Sequence, residues 1–150
     1  MRRFRTRFRP AERARWVGFR NRKWGSILSG VPWIYEQSTG KLRWNQKLAA
    51  RGYSGFGAGL NNPKLEHMRD VGPIPKGKWK ISRPYNSKTK GPHVMALTPV
   101  GHDALGRTEF MIHGDNAKKN KSASNGCIIL GPADRKAISA SGDDDLEVVG

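Results

Sequence analysis

Acidic residues are scarce in this sequence and cysteine is nearly absent. Twelve Asp and Glu stand against 28 Lys and Arg in 150 residues, a formal net charge of +16. The single cysteine, Cys127, excludes an internal disulfide, so the redox compartment cannot be read from it. No apolar run approaches the roughly 20 residues that span a bilayer as a helix. The N-terminus starts with arginines but has neither an apolar h-region nor a small-residue cleavage site, so no standard secretory signal is expected. His67, His93 and His102 are spread without metal-ligand spacing and read as surface or structural residues. Only 36% of residues are hydrophobic, which suits one compact domain with part of the chain outside its core.

The positive charge is unevenly placed. Ten Arg or Lys and one acid, Glu12, lie in the segment ending at Trp24. Residues 1–30 therefore read as a basic arm, partly disordered or helical. Arginine alternates with Phe4, Thr6 and Phe8 until Pro10, and "AERARWVGFRNRKW" mixes Trp16, Phe19 and Trp24 with cations in a loose amphipathic helix weakened by Gly18. Such a segment seeks an anionic partner: nucleic acid, a membrane surface or another acidic polymer. Residues 31–150 read as the folded domain.

That domain is expected to be mostly β. "WIYEQSTGKLRWN" predicts a hairpin, with Ile34 and Leu42 in its strands and Ser38-Thr39-Gly40 at its turn. "RGYSGFGAGLNNPKLEHMRDVGPIPKG" predicts a long irregular connection with a short helix over Pro63–Arg69, of a length that usually serves function. "KWKIS", "HVMALTPV", "EFMIH", "CIILG" and "LEVV" predict strands, and "PADRKAISASG" a short helix begun by Pro132. Many short strands with few helices give a β-rich α+β domain.

Chemistry concentrates in "FMIHGDNAKKNKSASNGCIIL", where His113 lies fourteen positions before Cys127. Two readings are open. Cys127 beside Ile-Ile-Leu can be a small buried hydrophobe and His113 a hydrogen-bonded strand end. Alternatively the two form a nucleophile and base, if "EFMIH" and "CIIL" are neighbouring strands and the loop between them returns the thiol to the imidazole. Gly126 permits a tight turn, and the N–H groups of Gly126 and Cys127 can then face an oxyanion.

"IHG" followed by a loop and "SNGCIIL" resembles the His-Gly…Ser-His-Gly-Cys signature of L,D-transpeptidases, the YkuD-like enzymes of bacterial cell walls. "VGPIPKGKWKI" resembles that family's upstream strand entry. Within it the chain is most similar to the Tlde1 group of small toxins exported by type VI secretion, through "WIYEQSTGKL", "GYSGFGAGLNNP", "GPIPKGKWKI", "GRTEFMIHGD", "SASNGCIIL" and "LEVV". The resemblance spans about Trp33 to Val149 and leaves the arm outside.

It implies a β-rich catalytic domain acting on the tetrapeptide stem of peptidoglycan, without cofactor or metal. Cys127 would attack the carbonyl of the third residue and release the terminal D-alanine. A stem amine, a free D-amino acid or water would then resolve the acyl-enzyme, giving crosslinking, exchange or trimming. The resemblance assigns His113 as the base, Gly114 as the residue whose carbonyl orients it, Gly126 and Cys127 as oxyanion donors and Ser124 as the motif serine. Asn125 replaces a histidine common in the family and, unable to titrate, becomes a positioner. A toxin role implies a cognate immunity protein, and action in the periplasm or wall of a target cell after export by a dedicated machine or lysis.

Four further residues are candidates for substrate contact. Tyr53 and Ser54 can line the stem groove, Arg107 can hold a substrate carboxylate, and Asp115 can bind a stem amine or cap the loop. A rival reading is a nucleic-acid- or envelope-polymer-binding protein without catalysis, which leaves "SNGC" unexplained. A papain-like or NlpC/P60-like peptidase is disfavoured because its cysteine precedes its histidine.

Overall fold

Runs of apolar residues broken every few positions by Gly, Pro or Asn favour brief strands over long helices. The computed structural model describes residues 31–150. Among them are strands β1 (Trp33–Glu36), β2 (Lys41–Trp44), β3 (Lys47–Arg51), β4 (Tyr53–Ser54), β5 (Gly77–Ile81), β6 (Tyr85–Ser87), β7 (Gly91–Val100), β8 (Met111–His113), β9 (Ile128–Ile129) and β10 (Asp145–Val149), and one α-helix, α1 (Pro132–Ser141). The domain is mostly β, as its texture predicts. The strands follow the order β3-β2-β1-β10-β5-β7-β8-β9-β4, with β6 paired to β7. The pairs β1–β10 and β8–β9 are parallel; the others are antiparallel.

Only Gly52 separates β3 from β4, yet these strands stand at opposite ends of that order. Consecutive Cα atoms are 3.8 Å apart, so the sheet must curl until its ends meet there. Glycine is required at this junction: a Cβ on Gly52 would lie 2.0 Å from the Ile129 carbonyl oxygen. The curl encloses Tyr35, Leu42, Trp79, Met95, Ile112, Ile128, Leu146 and Val148, all buried. Helix α1 starts with Pro132 after an extended Gly131, ends at left-handed Gly142, and adds Ile138 to this core.

The expected hairpin forms as β1–β2, and the strands expected from "KWKIS", "HVMALTPV", "EFMIH" and "LEVV" appear as β5, β7, β8 and β10. "CIILG" contributes only Ile128 and Ile129, which leaves Cys127 just ahead of β9. The helix expected over Pro63–Arg69 is a single 3-10 turn, Pro63–Leu65, capped by the Asn62 side chain accepting from the Lys64 N–H. Strands β3, β4 and β6 were not predicted. The arm, with its expected alternation at Phe4–Phe8 and helix around Trp16–Trp24, lies outside the described residues.

Candidate active site

Parallel pairing sets Ile112 beside Ile128 and His113 beside Ile129. One step back along the same register places Cys127 beside Met111. Side chains alternate across a sheet, so Ile112 and Ile128 enter the main core while Met111, His113, Cys127 and Ile129 share the other face. Tyr53, Cys127 and Ile129 form a second small apolar cluster there, with Met111 and Ala123 against it. His113 and Cys127 are thus diagonal neighbours on adjacent strands, within reach of a long side chain. Both line one cleft of about 270 Å³, together with Lys90, Glu109, Asn125 and Phe110.

The His113 imidazole is 2% exposed. Its Nδ1 lies 2.8 Å from the Gly114 carbonyl oxygen. A carbonyl only accepts, so Nδ1 carries the proton and Nε2 presents a lone pair. No described residue partners Nε2. Burial holds His113 below the ordinary histidine range; the Gly114 bond opposes the shift, and Lys90 and Arg135 reinforce it. The ring is therefore a neutral base.

The Cys127 thiol is also buried, and burial pushes its pKa up; the Met111 N–H, Lys90 and Arg107 pull the other way. Its S–H points to the Glu109 carbonyl, with Sγ 3.7 Å from the oxygen, rather than to the imidazole. Glu109 holds a left-handed backbone at φ 65, uncommon for a residue with a side chain. Thiol and imidazole are both neutral at rest, in place of the ion pair that a thiolate nucleophile suggests.

A scaffold of buried polar groups builds the turn before Cys127. Ser124 Oγ accepts from the Gly55 and Gly126 N–H groups at 2.9 and 3.0 Å and donates to the Cys127 carbonyl at 2.6 Å. Ser54 Oγ accepts from the Ile74 N–H at 2.9 Å and donates to the Gly126 carbonyl at 3.0 Å. Both serines are fully buried. Neither lines the cleft, unlike the groove role expected of Ser54 and the substrate-facing option for Ser124. The Gly126 N–H, expected to meet an oxyanion, is engaged by Ser124. No described residue accepts the Cys127 N–H, so that donor remains.

Arg107 also differs from expectation. Its guanidinium donates to the carbonyls of Glu66, Pro73, Gly72 and Asn125 and lies over the Phe110 ring at 5.1 Å. With four donors committed to backbone, it clamps the 66–73 loop to the cysteine turn and has little left for a substrate carboxylate. Gly126, at φ 134, lies directly against it: a Cβ there would come 2.5 Å from Arg107 Nη2.

Tyr53 is likewise turned inward. Its hydroxyl donates to Asp115 Oδ1 at 2.8 Å and accepts from the Ala123 N–H at 3.1 Å, tying both ends of the 114–126 loop together. Burial raises its pKa to about 12. Asp115 also accepts from the Asn116 N–H at 2.9 Å, so of its two expected roles it fills the loop cap. Tyr53 and Asp115 line a separate hollow behind β9 rather than the cleft. Asn125 does line the cleft, and it is exposed. Sequence reasoning missed Lys90, Glu109, Arg69 and Asp70 in the cleft wall. Lys90 lies in "NSKTKG", which reads as a solvated turn, and nothing in the residue Glu109 announces its backbone. Among the described residues no His, Cys, Asp or Glu cluster suits a metal ion.

A family model described as Tlde1 domain matches residues 48–143 of the chain, a span that includes both His113 and Cys127. Among solved structures, the chain is similar to L,D-transpeptidase 1 of Mycobacterium tuberculosis, at 17% identity and a TM-score of 0.43. That match covers 81% of this chain and 62% of the other, so the chain spans less than two thirds of its neighbour's length. No curated protein matches.

Proposed function

Because the chain belongs to the Tlde1 domain family, we propose that it is a peptidoglycan-modifying cysteine enzyme that cuts the tetrapeptide stem before its terminal D-alanine. The observation that carries this reading is the free Nε2 of a tautomer-locked His113 in the same cleft as the only thiol of the chain. A histidine serving only the core would have both nitrogens satisfied. A cysteine serving only the core would not line a polar cleft at the end of a built turn.

In this reading a rotation about the Cys127 side chain exchanges the Glu109 carbonyl for His113 Nε2. The imidazole takes the thiol proton as sulfur attacks the carbonyl of the third stem residue, since neither group is charged beforehand. The Cys127 N–H is the donor aimed at the oxygen that becomes negative. His113 then hands its proton to the leaving amine. The amide bond breaks, a thioester to Sγ forms, and free D-alanine departs. Water or a D-amino acid resolves the thioester, as trimming or exchange. Asn125 at the rim positions substrate without titrating. The toxin role and action in a target cell's wall rest on the likeness to type VI effectors.

The test is mass spectrometry of tetrapeptide muropeptides incubated with the protein, with and without D-methionine. Cys127→Ala should abolish tripeptide and exchanged products, while its circular dichroism and melting curve stay those of the parent. Normal processing by that variant would end the proposal.

A further inference from the structure

The reaction proposed above poses an electrostatic problem that Arg107 does not solve. A stem ending in free D-alanine carries a carboxylate one residue beyond the bond that is cut. Bringing that anion into a partly enclosed cleft without a counter-charge is unfavourable. The site therefore needs a cation within about 4 Å, one residue's length, of the reacting atoms. Three cationic side chains line the cleft: Arg69, Lys90 and Arg107. Arg107 is committed to four carbonyls. Arg69 sits on the 66–72 loop, and its charge is felt by Arg107. Lys90 lines the cleft together with His113 and Cys127, and its charge is felt by both.

Lys90 is built for this place by its turn. Ser87 Oγ accepts from the Thr89 and Lys90 N–H groups at 3.3 and 3.1 Å, fixing the backbone between β6 and β7. The register of that pair slips between Tyr85 and Ser87, and His93 takes a left-handed φ of 55. Such a bulge re-aims side chains, and Lys90 at this turn lines the cleft. Lys90 is exposed, and no described carboxylate pairs with its ammonium.

We infer that Lys90 is the specificity residue of this site: its ammonium holds the free C-terminal carboxylate of the donor stem, so that the enzyme removes a terminal residue rather than cutting within a peptide. The inference rests on the reading above and deepens it. It also orients the leaving group. With the carboxylate at Lys90, the amine of the departing D-alanine falls on the His113 side, where it collects its proton as the amide bond breaks.

The experiment compares kcat and KM for a tetrapeptide stem ending in D-alanine with the same stem ending in D-alaninamide, using the full chain. The parent should prefer the acid by about tenfold or more, the scale of one charge-assisted hydrogen bond. Lys90→Gln should collapse that preference by raising KM on the acid far more than on the amide, and Lys90→Arg should restore most of it. Equal use of acid and amide by the parent overturns the inference and leaves the enzyme reading intact. So does an equal loss on both substrates in Lys90→Gln, which would make Lys90 a support for the thiolate. No turnover of either stem by the parent overturns the enzyme reading itself, and the inference with it. Melting curves of the variants should match the parent, since Lys90 is an exposed turn residue.

Discussion

At the scale of single residues, polar side chains at this site divide into those that face the cleft and those that hold it. His113 keeps an unpartnered Nε2 and Cys127 lines the same cleft, whereas Ser54, Ser124 and Arg107 spend their polar atoms on backbone. Arg107 is the clearest case of a charge used as a fastener. It is 6% exposed and joins two loops that share no strand pairing. Removing it leaves several buried carbonyls without donors, each costing about 1–3 kcal/mol before relaxation. Arg107→Met, which keeps most of the apolar stem, should therefore lower stability by on the order of 3 kcal/mol in urea melts. It should also reduce activity by loosening the Cys127 turn. A substrate clamp would behave otherwise: stability would hold and only KM would rise. Finding that pattern would show the four carbonyl bonds to be incidental.

At the scale of elements, what was legible depended on whether a segment's structure is set locally or by partners far along the chain. Alternation in "WIYE" and "KLRW", with a Ser-Thr-Gly turn between, specifies its own hairpin. Pro132 and Gly142 punctuate α1 from within. The juxtaposition of His113 and Cys127 followed from the assumption that their strands are neighbours, and β8 and β9 do pair. Strand β3 was missed because "KLAAR" lacks β-branched or aromatic residues and extends only by pairing with β2. Strand β4 was missed because two residues carry no period; Tyr53 and Ser54 are strand only beside Ile129 and Ile128. The same distance effect misassigned side chains. Ser54 meets Gly126 across 72 positions, and Arg107 meets Gly72 across 35, pairings that no local pattern announces. Lys90 was passed over for the converse reason: its turn is local, but the cleft it lines is built from His113 and Cys127, 23 and 37 positions away in the chain.

At the scale of the whole molecule, charge governs two behaviours. The arm carries ten of the 28 cations within 24 residues, so its contacts with an acidic polymer should be strongly salt-dependent. Removing residues 1–30 should weaken binding to lipopolysaccharide, teichoic acid or anionic vesicles at low salt while soluble muropeptides are still processed; equal loss of both would make the arm part of the catalytic unit. The second behaviour is the dependence of stability on pH, and its sign follows from the two neutral groups of the cleft. His113 has a folded pKa below its ordinary 6.5, so the folded protein binds fewer protons than the unfolded chain in mild acid. Its contribution to stability is full above that value and is lost as pH falls through the folded pKa. Cys127 has a folded pKa above its ordinary 9.0, so its contribution is full below that value and is lost as pH rises toward the folded one. Melting temperature should therefore be flat between about pH 6.5 and 9.0 and decline on both sides. Tyr53, raised to about 12, adds to the alkaline decline only above its ordinary 10.0. His113→Asn should flatten the upper part of the acid limb, and Cys127→Ala the lower part of the alkaline limb, each leaving the other limb in place. Melting curves from pH 5 to 10 decide the matter: if both variants retain both limbs unchanged, folding displaces neither group, whereas a preformed ion pair, with the imidazole raised and the thiol lowered, would give each variant a pH effect of the opposite sign.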